Sequence, residues 1–162
     1  MREEGALSRR RSRVEIYLHF VWATKYRAET LTPEFERRIH RCIAREVQGM
    51  GCSVLAIGGM LDHVHIVVRM AANRMPMELV KQAKGASGKL YNSIRAENSE
   101  PFHWQDGYGC FSLWYTQVDK AVAYVHNQKE RHCDNNLLEI LEQFDEPAPD
   151  TKTIHEYIFP DN

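Results

Sequence analysis

The stretch SVLAIGGMLDHVHIVVRM, residues 53–70, carries much of the information about how this chain folds. Residues 53–57 and 64–70 are rich in β-branched and other apolar side chains, which is typical of strands that are largely buried. Gly58 and Gly59 stand between the two runs and favour a turn there. We therefore expect two strands that follow each other closely in the sequence.

One strand and one helix are predicted before this pair. Residues 14–24 combine β-branched and aromatic side chains, which indicates a buried strand. Thr32 and Pro33 suit the N-cap and the first position of a helix, and apolar side chains then recur at helical spacing to about Met50. Gly51 marks the end of this helix.

After the pair, the sequence again predicts one helix and one strand, followed by a further helix. Pro76 begins a helix whose apolar stripe reaches Ile94, residues 108–115 indicate a strand, and a last helix is predicted from Val118 to about residue 131. This order is that of the ferredoxin-like fold. We expect an α+β chain with a ferredoxin-like or RRM-like antiparallel sheet, helices on one face, and an extra C-terminal helix.

The net charge of −1 combines two segments of opposite sign. Residues 1–131 hold 20 Lys and Arg against 14 Asp and Glu, whereas residues 132–162 hold one Lys and eight acidic residues. We expect a flexible basic arm over 1–13, a folded domain over 14–132, and an acidic tail with a possible helix over 133–162. The basic part suits a polyanionic partner.

Composition narrows the class of protein further. A chain of 162 residues with 43% hydrophobic and 27% charged residues is typical of one globular domain. It has neither a membrane-length apolar run nor a signal-peptide pattern, so we expect a cytoplasmic protein. The cysteines match no zinc framework and are expected to be small buried side chains. They are Cys42, Cys52, Cys110 and Cys133.

The clearest candidate for chemistry is DHVH, residues 62–65. In a strand, His63 and His65 project to one face with their roots about 7 Å apart, so the two imidazoles can converge on one metal ion. Two structural or exposed histidines are the alternative. Asp62 can orient a histidine through its second ring nitrogen, or it can be an ordinary aspartate at the start of a strand.

A second candidate lies in the predicted last helix. Tyr124 and Gln128 are about 40° apart around its axis, so a phenol and an amide oxygen can share one site. The alternative is a tyrosine that simply covers the edge of the helix. Tyr91 and Tyr115 are weaker candidates for a reactive tyrosine, because neither has a glutamine four residues later.

Four stretches together resemble a known family: HFVWATKYR (19–27), GGMLDHVHIVV (58–68), FHWQDGYGCFS (102–112) and AYVHNQ (123–128). With these in this order, the chain resembles the small single-tyrosine HUH transposases of insertion sequences, the IS200-like family that includes the REP-associated tyrosine transposases. HUH denotes two histidines around a bulky hydrophobic residue, here Val64.

The resemblance implies a reaction and a set of roles. Tyr124 would attack a phosphodiester of single-stranded DNA, leaving a 5′-phosphotyrosine and a free 3′-OH that later rejoins the strands. His63, His65 and Gln128 would hold a divalent metal ion, Mg²⁺ or Mn²⁺. The resemblance further implies element ends with hairpins as the substrate, and a homodimer in which the tyrosine helix of one subunit can complete the site of the other.

Basic and aromatic side chains can add contacts to DNA, although each can also be an ordinary surface or core residue. Trp22 fits the core better than a DNA contact. The candidates for phosphate contacts are Lys25, Arg27, Lys81, Lys84, Lys89 and the arm residues Arg9, Arg10, Arg11 and Arg13. Those for stacking on bases are Trp104, His103, Tyr26 and Tyr108.

Other functions share these features. A non-catalytic module that binds single-stranded DNA or RNA can use the same fold. A domesticated HUH endonuclease would cut host repeats instead of element ends. An HUH replication initiator or relaxase shares the metal motif, but the short chain and the lack of a helicase part favour the transposase.

Overall fold

The computed structural model describes residues 13–129. The predicted arm up to residue 12, the acidic tail and the possible tail helix lie outside these residues. The described part contains, in chain order, β1 (Tyr17–Ala23), α1 (Pro33–Gly49), β2 (Ser53–Met60), β3 (His63–Arg69), α2 (Pro76–Ile94), β4 (Gly109–Leu113) and α3 (Val118–His126), with short 3-10 turns at Lys25–Arg27 and Tyr115–Gln117.

The strands form one antiparallel sheet in the order β2-β3-β1-β4. β1 pairs with both β3 and β4, and β2 pairs with β3. This is the strand order of the ferredoxin-like fold, so the predicted fold class is confirmed. The register places Val21 opposite His65 and Ala23 opposite His63.

The two faces of the sheet are covered by different helices. Phe20, Trp22 and Ile66 point to one face, where they form the main core with α1 and α2. The alternating positions point to the other face, where Val67 packs with α3 through Val125. The two histidines of β3 share the face of Val67, so the third helix lies over them.

The glycines at positions 58 and 59 do not form the turn that the sequence predicts. β2 continues to Met60, and the turn is made by the next two residues. A Cβ on Gly58 would lie 2.5 Å from the carbonyl oxygen of Val125, and one on Gly59 would lie 2.1 Å from that of His63. The glycines therefore allow α3 and β3 to approach the backbone of β2 closely.

Of two further expectations, one is confirmed and one differs from the structure. Thr32 takes the N-cap position of α1 with an extended backbone, but its side chain makes no capping hydrogen bond. Among the three cysteines that the structure describes, only Cys52 is buried, while Cys42 is half-buried. Cys110 is exposed on β4, which is an edge strand of the sheet. Cys133 lies outside the described residues.

Candidate functional site

The predicted histidines and tyrosine come together between the sheet and α3. His63 and His65 are fully buried, with ring centroids 5.0 Å apart and ring planes at 82°. The ring of Tyr124 lies edge-on to that of His65, with the centroids 5.7 Å apart. Tyr124 is only 3% exposed, because it belongs to the face of α3 that packs on the sheet.

Gln128 follows Tyr124 by one helical turn and is 1% exposed. Neither its amide nitrogen nor its amide oxygen has a hydrogen-bond partner within residues 13–129. It lines a cavity of about 410 Å³ together with Gly58 and Gly59, at the end of β2 that pairs with His63. A buried amide without a partner costs about 1–3 kcal/mol, which a ligand of the amide can offset.

The ring of His63 is held through its Nδ1 atom, which lies 2.7 Å from Oδ1 of Asp62. Burial alone would raise the pKa of Asp62, but the hydrogen bond to His63 and the charges of His63 and Arg27 outweigh it, so this pKa is lowered. An ionised carboxylate only accepts hydrogen bonds. In its neutral form His63 then donates from Nδ1, which leaves the lone pair of Nε2 for a metal ion.

Asp62 is itself held by Arg27, whose Nε lies 2.8 Å from Oδ2 of the carboxylate. The sequence predicts Arg27 as a phosphate contact, but the structure places it on Asp62. Tyr26 and Arg27 have φ values of 59° and 55°, in the left-handed region that residues other than glycine rarely adopt. Two such residues in sequence are strained, and this strained turn directs Arg27 toward the carboxylate.

Hydrogen bonds from Thr24 keep this turn against the start of β3. Its backbone N–H donates to the carbonyl of Asp62 at 2.8 Å, and its hydroxyl donates to the carbonyl of Ala28 at 2.7 Å. The backbone N–H of Lys25 donates to the carbonyl of His103 at 2.9 Å. The turn is therefore fixed on both sides, toward β3 and toward the loop before β4.

A third buried histidine, His19, also belongs to this site, although the sequence motifs do not single it out. Its Nε2 lies 3.0 Å from Nδ1 of His65, and its ring centroid lies 6.2 Å from that of Tyr124. Strand alternation was the available signal. In β1 it puts His19 on the face opposite Phe20 and Trp22, and a histidine within such an apolar strand needs a polar partner.

The donor set fits a divalent ion with open coordination positions. Within residues 13–129 there is no group of three His, Cys, Asp or Glu side chains arranged to hold a metal ion. The donors that the sequence predicts are the imidazole nitrogens of His63 and His65 and the amide oxygen of Gln128. Two nitrogens and one oxygen are compatible with Mn²⁺ and, less favourably, with Mg²⁺.

Six of the predicted DNA contacts gather elsewhere, in a cleft of about 480 Å³ between α2 and the loop before β4. We call it the lysine cleft; the predicted contacts that line it are Lys81, Lys84, Lys89, His103, Trp104 and Tyr108. Lys84 donates to the carbonyls of Gln105 at 2.8 Å and Gly107 at 2.6 Å, so it holds the loop.

The predicted base-stacking role of Trp104 does not fit its position. It is 9% exposed, lies in the main core, and donates from Nε1 to the hydroxyl of Ser87 at 2.9 Å. Its place before a strand suggested an exposed loop side chain, but a bridge to Thr24 draws it inward. Lys81 and Lys89 are exposed and remain candidates for phosphate contacts.

The other aromatic and basic candidates divide by exposure. Trp22 is fully buried in the core, as predicted. Tyr91 is structural, since its hydroxyl donates to the carbonyl of Thr30 at 2.9 Å. Tyr108 is half-buried, and Arg13 pairs with Glu15 in solvent. The exposed candidates are Lys25, Tyr26, His103 and Tyr115.

The family model of IS200-like transposases matches residues 12–128. The chain therefore belongs to the IS200-like transposase family, whose members act in DNA transposition. It is similar to the ISDra2 transposase TnpA of Deinococcus radiodurans, with 22% identity over 122 residues that cover 72% of this chain and 86% of that protein.

Solved structures share the fold. A crystal structure of a transposase from Deinococcus radiodurans has a TM-score of 0.58 and 21% identity, and the match covers 76% of this chain and 98% of that one. A REP-associated tyrosine transposase bound to a REP hairpin also has a TM-score of 0.58, with 12% identity over 78% of this chain and 74% of that one. Among residues 13–129, no helix has the length and apolar character needed to cross a bilayer.

Proposed function

We propose that this transposase cleaves and rejoins single-stranded DNA, with Tyr124 as the nucleophile and a divalent metal ion held by His63, His65 and Gln128. The observation that carries the proposal is the packing of the Tyr124 ring against His65, 5.7 Å between centroids, beside a second histidine whose Nδ1 is already engaged. This arrangement supports a nucleophile and metal ligands at one site.

The reaction is a transfer of one phosphoryl group. The phenolic oxygen of Tyr124 forms a bond to phosphorus, and the bond from phosphorus to the 3′ oxygen breaks. The phenol loses its proton, and the released 3′ oxygen takes up one, so the products are a 5′-phosphotyrosine and a 3′-OH. The reverse attack by a 3′-OH rejoins the strands without ATP, because the phosphotyrosine replaces one ester bond to phosphorus by another.

The residues around the tyrosine have separate tasks. A phenol is a weak nucleophile near neutral pH, because its usual pKa is about 10. A divalent ion, when bound, would act as a Lewis acid on the phosphate and align the bond that breaks. Asp62 keeps the ring of His63 in place, and Arg27 keeps Asp62 in place. α3 carries both Tyr124 and the turn that leads to Gln128, so the two move together.

The burial of Tyr124 adds a requirement for access. At 3% exposure its phenol is out of reach of a phosphodiester, so α3 must shift away from the sheet before cleavage. This helix has nine residues and is held through Ala121, Tyr124 and Val125. Because few of its side chains are fully buried, local displacement is feasible.

The proposed substrate is single-stranded DNA at element ends, with hairpins, bound by a homodimer. The similar fold of a transposase bound to a REP hairpin and the basic charge of residues 1–131 support DNA as the partner. Lys81 and Lys89 offer exposed charge for the phosphates. In the described chain, Tyr124 packs on histidines of its own chain, which favours a site completed within one subunit.

The deciding experiment uses labelled single-stranded DNA that carries an element end. A covalent protein–DNA adduct is expected with Mn²⁺ or Mg²⁺, and it should disappear in EDTA and in Tyr124→Phe. Tyr115→Phe is the matched control, because Tyr115 is exposed and lies outside the histidine cluster. An adduct that persists in Tyr124→Phe would refute the nucleophile assignment, whereas binding without any adduct would favour a non-catalytic module.

A mixing experiment tests the shared site. Neither Tyr124→Phe nor the double variant His63→Ala, His65→Ala should form adducts alone. If two subunits share one site, a mixture of the variants recovers activity. If each site is complete within one subunit, the mixture stays inactive. Adducts formed on host repeats but not on element ends would indicate a domesticated endonuclease.

A further inference from the structure

His19 lies at the centre of the site without a role in the proposed reaction. It is fully buried in β1, with its Nε2 3.0 Å from Nδ1 of His65. Its ring also contacts Phe111 and Tyr124, at centroid distances of 6.3 and 6.2 Å. These contacts fix the ring in one orientation with Nε2 toward His65.

The hydrogen bond between the two rings can run in two directions. A neutral imidazole has one N–H and one lone pair, so one ring donates and the other accepts. If His65 donates from Nδ1, its Nε2 keeps a lone pair. If His19 donates, the proton of His65 is on Nε2, and that atom is unable to bind a metal ion.

His63 also makes a hydrogen bond through Nδ1, and in this case the direction of the bond is fixed. Its Nδ1 is engaged by the carboxylate of Asp62, which only accepts hydrogen bonds. Both histidines of the HUH motif are therefore held through Nδ1, one by Asp62 and the other by His19. Histidines that bind metals usually donate their other N–H to an acceptor, which sets the tautomer and the orientation of the ring.

We infer that His19 is a positioning residue that accepts a hydrogen bond from Nδ1–H of His65 and thereby presents Nε2 of His65 to the metal ion. The part that concerns metal binding rests on the proposed function. The direction of the hydrogen bond can be measured independently of that function, because it is a property of the metal-free chain. The role is separate from those of Tyr124 and Gln128, since His19 acts only through His65.

The direct test reads the tautomers in the metal-free protein. Long-range ¹H–¹⁵N correlation spectra of uniformly ¹⁵N-labelled full-length protein in EDTA distinguish a proton on Nδ1 from one on Nε2. We expect the proton of neutral His65 on Nδ1 and an unprotonated Nε2 on His19. A proton on Nε2 of His65 would overturn the inference. Spectra of His19→Phe and His65→Phe assign the signals.

Two variants test the consequence for the metal ion. His19→Phe keeps a ring between Phe111 and Tyr124 but loses the acceptor, whereas His19→Gln keeps an acceptor oxygen. Titration calorimetry with Mn²⁺ should show an affinity loss of about 10- to 100-fold for His19→Phe and a much smaller loss for His19→Gln. Affinities equal to that of the unmodified chain in both variants would contradict the role.

The outcomes separate this inference from the proposed function. If the unmodified chain fails to bind Mn²⁺ while His65 carries its proton on Nδ1, the metal assignment fails and the hydrogen-bond direction stands. If Mn²⁺ binds while that proton is on Nε2, the role of His19 fails and the metal assignment stands. Should His19→Phe fail to fold, the spectra of the unmodified chain still decide the direction.

Discussion

The guanidinium of Arg27 pairs with the carboxylate of Asp62, with 2.8 Å between Nε and Oδ2. The other oxygen of the same carboxylate holds His63. A residue from the turn after β1 thus acts on a histidine of β3 through one intermediate. The arginine side chain of this pair is about half exposed, so the ion pair itself contributes little to stability. Its main effect is to position Asp62 and, through it, His63.

Removing the carboxylate charge should weaken metal binding at His63. We expect Asp62→Asn to reduce Mn²⁺ affinity about 10- to 100-fold, because the imidazole loses its ionised acceptor. Arg27→Ala should reduce it less, since Asp62 still contacts His63. Calorimetric titration measures both. Arg13→Ala is the control, since Arg13 also pairs with a carboxylate, that of Glu15, but in solvent. Equal effects of the two arginine variants would contradict the prediction.

The strained turn predicts an unusual order of stabilities. At φ 59°, glycine is favoured over residues with a Cβ, so Tyr26→Gly should be more stable than Tyr26→Ala by about 1 kcal/mol. Both lose a ring that is 90% exposed. Tyr115 is also exposed but has no positive φ, so Tyr115→Gly should be less stable than Tyr115→Ala. Urea denaturation checks the order, and the same order at both positions would refute it.

The close approach of α3 to β2 predicts a sensitive glycine. Gly58→Ala places a methyl group against the carbonyl of Val125, so we expect a loss of about 1–3 kcal/mol and faster hydrogen exchange in α3. Gly85 lies within α2, and a Cβ there would meet nothing within 4 Å beyond its own helix, so Gly85→Ala should be neutral or gain up to about 1 kcal/mol. Unchanged exchange in α3 of Gly58→Ala would show that the contact does not hold the helix.

His40 gives the chain a dependence of stability on pH. Burial lowers its pKa to about 4; the charge of Glu36 opposes this shift and that of Lys129 adds to it. Between pH 4 and about 6.5 the unfolded chain binds this proton and the folded chain does not, so stability falls as pH falls through that window.

His40→Gln should reduce this dependence relative to the unmodified chain, by at most about 3 kcal/mol over the window. Denaturation curves at pH 7 and pH 4.5 measure it. The control is His126→Gln, since His126 is exposed on α3. The same dependence in the unmodified chain and in His40→Gln would exclude His40 as its source.

The lysine cleft predicts how DNA binding responds to salt. If Lys89 contacts a phosphate, Lys89→Ala should lower the slope of log affinity against log salt by about 0.7 for a single strand. Lys120→Ala is the control, because Lys120 is an exposed lysine of α3, on the other face of the sheet. Fluorescence anisotropy over a range of salt concentrations measures both slopes. Equal changes of the two slopes would indicate a general charge effect. An unchanged slope in Lys89→Ala would show that Lys89 does not contact a phosphate.

The order of elements could be predicted well from the sequence, because apolar periodicity and the prolines at the helix starts are local signals. α2 begins at Pro76, as predicted, and ends at Ile94, which is part of the predicted apolar stripe. The histidine pair and Tyr124 were also identified, and the structure brings them together. Local signals do not show which residues face each other across the sheet. His19 contacts His65 on another strand, and Arg27 reaches Asp62 through a turn with positive φ values.

The glycines illustrate the same limit. Two adjacent glycines usually indicate a turn, yet Gly58 and Gly59 lie inside β2 because other parts of the backbone come close to them. Trp104 likewise follows a polar loop but is drawn into the core by its bridge to Thr24. For Gly58 and Trp104 a contact distant in sequence overrides the local preference, whereas Gly59 is approached by the adjacent strand β3.

The strand order also determines when this domain can form during synthesis. β1 leaves the ribosome before the other strands, but both of its edges stay unpaired until later strands have been made. Tyr17 can pair with Leu113 only after β4 has been synthesised. Pairings between such distant segments are slow to form, and a nascent or truncated chain that ends before β4 exposes an apolar strand edge prone to aggregation. Gene fragments that keep the DHVH motif but lack β4 should therefore yield insoluble protein instead of a smaller working domain.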